Sequence, residues 1–323
     1  MGATTTATER FGSRHAARGR ARLRPLAALA ALCGVTLTGA CDDVTPYAPE
    51  GEVSLRPGGG LRYDTNHVGS HHFSELDLSK SSVWLAPWRL CVRIWWEDGM
   101  LWCETGDGKV YALLHFLGST WTADVDGEPV KLRLADLKYI EERDHWLARF
   151  EDLDGNPTCD PDENGERWAL LYGNVHFDGA TASFSHDEDT LHIACLSGIL
   201  GDAGQRYGWT PDALDGDLEA MDAAIRAAAF DPCGAGTPMA SALGGFAAAD
   251  HHGLNAFGPG ASKLSEGVYD AQGMVCSGTQ SRQGPIPNEP SCPGGVTIPV
   301  CDEASLATLF ASDARLIWTK PIE

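Results

Sequence analysis

From Val83 onward, apolar residues recur at every second position in short runs separated by turn residues, a spacing that predicts strands. Leu90 to Trp96 is closed by Glu97-Asp98-Gly99, and Met100 to Glu104 follows. Lys109 to Phe116 is a further β-rich run after Gly106-Asp107-Gly108. Thr120 to Val125 and Glu128 to Leu134 flank Asp126-Gly127, a dipeptide suited to a two-residue hairpin turn. In the second arm Val130, Leu132 and Leu134 alternate with Lys131 and Arg133, so one face is buried and the other wet. Tyr139-Ile140 and His145 to Phe150 complete an antiparallel meander over 83–150.

The pattern then breaks at an acidic loop, 151–167. Beyond it Trp168 to Tyr172, Asn174 to Phe177, Thr181 to Ser185 and Thr190 to Cys195 read as four short strands. The 3.6-residue period appears at 210–229, where Thr210 suits the N-cap, Pro211 the first helical position, and Leu214, Leu218, Met221, Ile225 and Ala228 share a face. A hairpin is expected around Asp270 to Gly273, a Pro-rich connector at 284–299, and a short helix after Asp302 with Leu306, Leu309 and Phe310 apolar. The predicted fold is mainly β with a few helices, of the α+β class: an antiparallel meander followed by a disulfide-rich region over 168–323.

The N-terminus differs. Residues 1–40 carry six arginines, from Arg10 to Arg24, against one acid, Glu9, and then an apolar run from Leu26 to Leu37 that ends in Thr38-Gly39-Ala40. A basic region, a short apolar stretch and a small-residue cleavage site form the pattern of a signal peptide, and the run is too short to span a bilayer. Cys41 followed by Asp42-Asp43 resembles the lipid-accepting cysteine of bacterial lipoproteins, although Thr38 stands where an aliphatic residue is usual. Residues 41–82, with Pro46, Pro49, Pro57 and Gly58-Gly59-Gly60 in their first half, read as a tether and linker. The expected location is extracytoplasmic, as a cell-envelope lipoprotein or a secreted protein, with a membrane reached only through the lipid.

Charge narrows the partners. The chain holds 24 basic and 45 acidic residues; without residues 1–40 the balance is 18 against 44, a net of −26. Such a surface repels phosphate backbones, so nucleic acid is not an expected partner. An envelope component or a glycan is.

Export also gives the cysteines a role. Cys33 leaves with the signal and Cys41 is the lipidation candidate. That leaves Cys91, Cys103, Cys159, Cys195, Cys233, Cys276, Cys292 and Cys301, an even set suited to disulfides. No C-x-x-C occurs, so zinc or thioredoxin-type chemistry is not suggested. Proximity favours Cys91 with Cys103 and Cys292 with Cys301.

Several residues over 192–277 carry a family resemblance. Ala194-Cys195, Gly198, Gly208-Trp209-Thr210-Pro211, Asp231-Pro232-Cys233-Gly234-Ala235-Gly236 and Met274-Val275-Cys276 are similar to the ADYC domain, found in exported proteins of myxobacteria and their relatives. Of the naming motif only Asp231 and Cys233 match, since Phe230 and Pro232 replace its Ala and Tyr. The family's cysteine after Gly198 and the one before its helix both lack a counterpart, a joint loss that fits a bonded pair. The resemblance implies an envelope or secreted setting and supplies no catalytic residues.

Candidate chemistry lies in two places. Asp160-Pro161-Asp162-Glu163-Asn164-Gly165 reproduces the first half of an EF-hand loop, with Asp160, Asp162 and Asn164 as calcium ligands, but Leu171 stands where the bidentate Glu belongs. His67, His71 and His72 form a second cluster, read as a polar loop. Seven of the ten tryptophans (Trp84, Trp88, Trp95, Trp96, Trp102, Trp121, Trp146) fall in the meander. Adjacent Trp95 and Trp96 point to opposite sheet faces, so they are the candidates for a ligand face. There is no G-x-S-x-G, H-E-x-x-H or phosphate-binding glycine loop. The chain therefore reads as a binding or structural protein, with an extracellular hydrolase using calcium as the rival.

Overall fold

The computed structural model describes residues 61–125, 128–240, 242–257, 266–282, 284–285, 292, 295–302, 306, 308–309 and 312–322. The expected signal, Cys41 and the stretch to Gly60 lie outside the described residues, as do Asp126-Gly127, Phe310 of the expected last helix and half of the 284–299 connector.

The chain order of elements is as follows. A small hairpin, β1 (His67–Val68) and β2 (His71–His72), leads to β3 (Glu75–Asp77), β4 (Ser82–Leu85), β5 (Arg89–Glu97), β6 (Met100–Thr105) and β7 (Val110–Ala112). After a 3-10 turn at Leu113–Phe116 come β8 (Thr120–Val125), β9 (Glu128–Ile140), β10 (His145–Glu151), β11 (Ala169–Asp178) and β12 (Ser183–Cys195). Helices α1 (Ile199–Tyr207) and α2 (Leu218–Ala229) follow, then β13 (Phe246–Ala249), β14 (Gly267–Asp270), β15 (Gly273–Ser277), β16 (Gln280–Ser281), β17 (Gly284–Pro285) and β18 (Ile317–Pro321). Among the described residues no helix is long and apolar enough to cross a membrane.

Ten strands form one antiparallel sheet in the order β3-β12-β11-β10-β9-β8-β4-β5-β6-β7. Its alternating apolar residues line one core, with Val83, Leu101, Trp121, Leu132, Leu134 and Phe150 buried. The sheet curls until β5 lies over β11 and β12. Trp96 enters the curl directly above Gly173, where any Cβ would fall 1.9 Å from its ring. The opposite face of β11 and β12 carries Leu170, Tyr172, Phe184 and Ala194 into a second core with α1, α2 and part of the β13-β18-β14-β15 sheet. Residues of α2 are buried nearly all round, which explains its alanines: the helix is packed on both sides and has no room for larger groups.

Several expectations change. The helix of 210–229 begins only at Leu218, capped by Asp217, whose side chain accepts the Ala220 N–H at 3.1 Å. Left-handed Asp215 and Gly216 interrupt its expected first turn, and Thr210 instead accepts from Ala213 at 3.2 Å within a separate turn. Helix α1 was not anticipated, because Gly201 and Gly204 are poor helix formers. A Cβ on Gly201 would meet the Cys195 carbonyl oxygen at 2.2 Å, so glycine there permits close helix–strand packing. The four short strands merge into β11 and β12, with a bulge at Gly173–Val175 where Asn174 takes a positive φ. Residues 61–82 are not tether: Tyr63, Phe73, Leu76 and Leu78 are buried.

The eight cysteines form four disulfides, Cys91–Cys103, Cys159–Cys195, Cys233–Cys292 and Cys276–Cys301. Cys91 pairs as proximity suggested, but Cys292 does not bond Cys301. A bridge between Ser277 and Val300 brings the end of β15 beside Cys301, so its neighbour Cys276 takes that bond. Four disulfides fit an oxidising, extracytoplasmic environment.

Candidate functional site

Three constellations stand out, two buried and one exposed. The first centres on His192 in β12, which is 0% exposed. Its Nδ1 lies 3.2 Å from Glu75 Oε1 on β3. Its Nε2 lies 3.1 Å from Asp64 Oδ2, an ion-pair contact. Burial opposes charge on the ring, but the two carboxylates outweigh it and push the His192 pKa up to about 9. Glu75 is also partly desolvated, yet His192, the Phe177 N–H at 2.7 Å and His176 hold its pKa below the usual carboxylate value. Burial raises Asp64, despite its contact with His192 and the Thr65 N–H at 2.7 Å. His176 Nδ1 lies 2.7 Å from Glu75 Oε2 and carries the chain of contacts to the surface. Tyr172 stacks on the His192 ring at 6.1 Å.

This cluster was missed in the sequence. A histidine inside the apolar run Leu191-His192-Ile193 is the signal that could have found it, because a buried imidazole needs partners. Those partners come from a stretch read as linker.

Residues of the naming motif build a second buried node. Asp231 Oδ2 accepts from Arg226 Nη1 at 2.9 Å and from the Gly236 N–H at 2.9 Å, while Oδ1 accepts from Ala235 N–H at 3.0 Å. Arg226 also donates to the carbonyls of Ala271 and Thr181. One turn earlier on α2, Asp222 accepts from the Phe184 N–H at 2.7 Å and so ties the helix to β12; burial pushes its pKa up to about 6. Arg282 reaches Glu266 and the carbonyls of Ala227 and Ala228 at the end of α2, with its guanidinium 3.7 Å from the Phe246 ring centroid.

The exposed constellation is the outer face of the curled sheet. Trp84 pairs across strands with Leu90, and Trp95 with Trp102. Alternation places all four side chains on the solvent side, because Val83, Leu85, Trp96 and Leu101 point inward. From Leu90 to Trp95 the row runs roughly 17 Å at strand rise. Trp95 and Trp102 spend their indole N–H groups on Glu97, and Arg93 lies 5.1 Å from the Trp95 ring. At one end stands Trp88, 88% exposed, in the turn between β4 and β5 with φ of 83°. A bulky residue in this left-handed conformation is a rare outlier, and neither packing nor backbone preference accounts for it.

Of the expected ligand pair, Trp95 lies on this face and Trp96 does not: at 8% exposure it is core. The expected calcium ligands lie on a tight loop. Asp162 Oδ1 accepts from the N–H groups of Asn164 at 2.9 Å and Glu166 at 2.8 Å, so the loop's own amides take up an oxygen that an ion would need. Asp160 lies 3.9 Å from His67. Among the described residues no group of three or more His, Cys, Asp or Glu side chains is placed to hold a metal. His67 and His72 face each other across the β1–β2 hairpin, with His71 beside them.

A family model described as the ADYC domain matches residues 114–283, just over half of the chain. The match begins in the 3-10 turn before β8 and takes in β8 to β12 as well as both helices. Helix α2, which leads into the motif residues, packs against β12, so strands and helices of the matched stretch share the second core. No curated protein and no solved structure matches.

Proposed function

This chain belongs to the ADYC-domain family, and from that premise we propose that it is a carbohydrate-binding protein of the cell envelope, exported and anchored through a lipid on Cys41. Trp88 carries the reading: an almost fully exposed indole in a left-handed turn, beside the half-exposed Trp84–Leu90 pair and on the strands whose outer face also carries Trp95 and Trp102. Aromatic rings on a rigid sheet stack on the C–H faces of sugars, and a large exposed apolar row on a soluble surface marks a binding site. The His192 ring is fully buried and the two carboxylates beside it are spent on it, which favours binding over hydrolysis.

Soluble peptidoglycan fragments should quench or shift the intrinsic tryptophan fluorescence. Trp88→Ala and Trp84→Ala should each weaken that binding about tenfold, equivalent to about 1.4 kcal/mol and within the range of one aromatic contact. Unchanged fluorescence and no heat of binding at millimolar fragment, with peptidoglycan and with neutral polysaccharide, would refute the proposal.

Anchoring rests on different support. The other eight mature-chain cysteines bond among themselves, leaving Cys41 with no disulfide partner in that set. A fatty-acid analogue should label the wild type in cells and not Cys41→Ala. Equal labelling of the two would remove the lipid from the reading.

A further inference from the structure

The seam where the curled sheet meets itself contains an open strand edge. Strand β4 pairs with β5 only at Trp84↔Leu90 and Leu85↔Arg89. From Cys91 to Glu97, β5 has β6 on one side and, among the described residues, no strand on the other. The two-residue turn Asp98-Gly99, with φ of 52° and 70°, makes Glu97↔Met100 a hydrogen-bonded pair, as are Trp95↔Trp102 and Arg93↔Glu104 in alternation. The N–H and C=O groups of Ile94 and Trp96 therefore project toward the open side. Asn174 Nδ2, donating to Trp96 O at 3.3 Å from β11, marks that direction.

A cleft of about 730 Å³ runs along this edge, bounded by β5 residues 91–97, the β3–β4 turn and Glu188-Asp189 of β12. Its length suits a strand of five or six residues, the common strand size. The rim carries Glu97, Glu188 and Asp189 against Arg93, so it is acidic overall. A second copy of so acidic a chain would be repelled.

We infer that this cleft binds an extended, basic peptide segment of a partner protein by strand addition to β5. The main chain of the segment pairs with Ile94 and with the Trp96 N–H, since Asn174 already donates to the Trp96 carbonyl, and lysine or arginine at alternate positions meets Glu188 and Asp189. Main-chain pairing supplies affinity and alternate side chains supply selectivity.

The test uses the full chain and a capped hexapeptide of alternating lysine and valine, titrated by calorimetry. N-methylation of alternate peptide amides, tried in both registers, should weaken binding at least tenfold in the register that faces β5. Glutamate in place of lysine should weaken it by a similar factor. Glu188→Lys with Asp189→Lys should reduce affinity for the lysine peptide about tenfold while the melting temperature stays put, since both side chains are exposed. Binding that survives N-methylation in both registers would mean charge attraction without strand addition and would overturn the inference. So would equal affinity for the glutamate peptide, no binding at millimolar peptide, or a charge reversal that changes the oligomeric state and leaves peptide affinity intact.

Discussion

His192→Leu is expected to lower the unfolding free energy by about 3–5 kcal/mol, the cost of removing one partner from a buried charged cluster. The ring faces Asp64 and Glu75 through its two nitrogens, an arrangement that favours a proton on each and so the imidazolium form. Without it two largely buried carboxylates lose the cation between them, which favours protonation of Asp64, the more deeply buried of the two. Leucine roughly fills the space left by the ring, so the loss reports on charge more than on a cavity.

The same cluster sets a pH dependence. With a folded pKa of about 9 against an unfolded value near 6.5, the histidine contributes stability fully below about pH 6.5. That contribution declines as pH rises and is gone above about pH 9, a total of about 3 kcal/mol. Urea unfolding at steps from pH 6 to pH 9.5 should show this fall in the wild type, and His192→Leu should lack it. A wild type equally stable across that range, or a variant that loses under 1 kcal/mol, would show that His192 is not held as a cation.

What was legible in the sequence follows from the range of each interaction. Strand β9 is readable because Val130, Leu132 and Leu134 alternate against charged neighbours, a local signal of burial on one face. The long strands β11 and β12 look broken because Asn174 occupies a bulge and His186 to Asp189 lie beside the seam, where polar residues face water. Helix α1 is hidden for a related reason: the glycines that lower its local propensity are the ones that let it approach β12. The charged cluster is less legible still. Asp64 and Glu75 sit in a polar stretch with no periodicity, and their partner lies more than a hundred residues away. The aromatic face was half readable, since alternation separates Trp95 from Trp96 but does not say which side is core. Gly173, which opens space for Trp96, decides that from across the curl.

Asp231→Ala should be comparably damaging, and it tests what the family's naming motif does. The carboxylate is almost fully buried and meets three donors: Arg226 and the N–H groups of Ala235 and Gly236. Its removal leaves Arg226 as a buried cation near the end of α2, with the Ala271 and Thr181 carbonyls as its remaining hydrogen-bond partners. Breaking one side of such a pair costs about 3–5 kcal/mol, and at about 2–4 °C per kcal/mol for a domain of this size the melting temperature should drop by roughly 10 °C. Asp231→Asn keeps one acceptor oxygen and should lose less. Arg226→Met combined with Asp231→Leu removes both charges and should recover much of the loss, as apolar replacement of buried ion pairs does. Below its melting temperature Asp231→Ala should still bind peptidoglycan fragments with wild-type affinity, because the node lies in the second core and away from the tryptophan face. Thermal unfolding of the three variants beside a fragment titration separates the possibilities. A stable Asp231→Ala protein that no longer binds would place the motif in the binding site and contradict a purely architectural role.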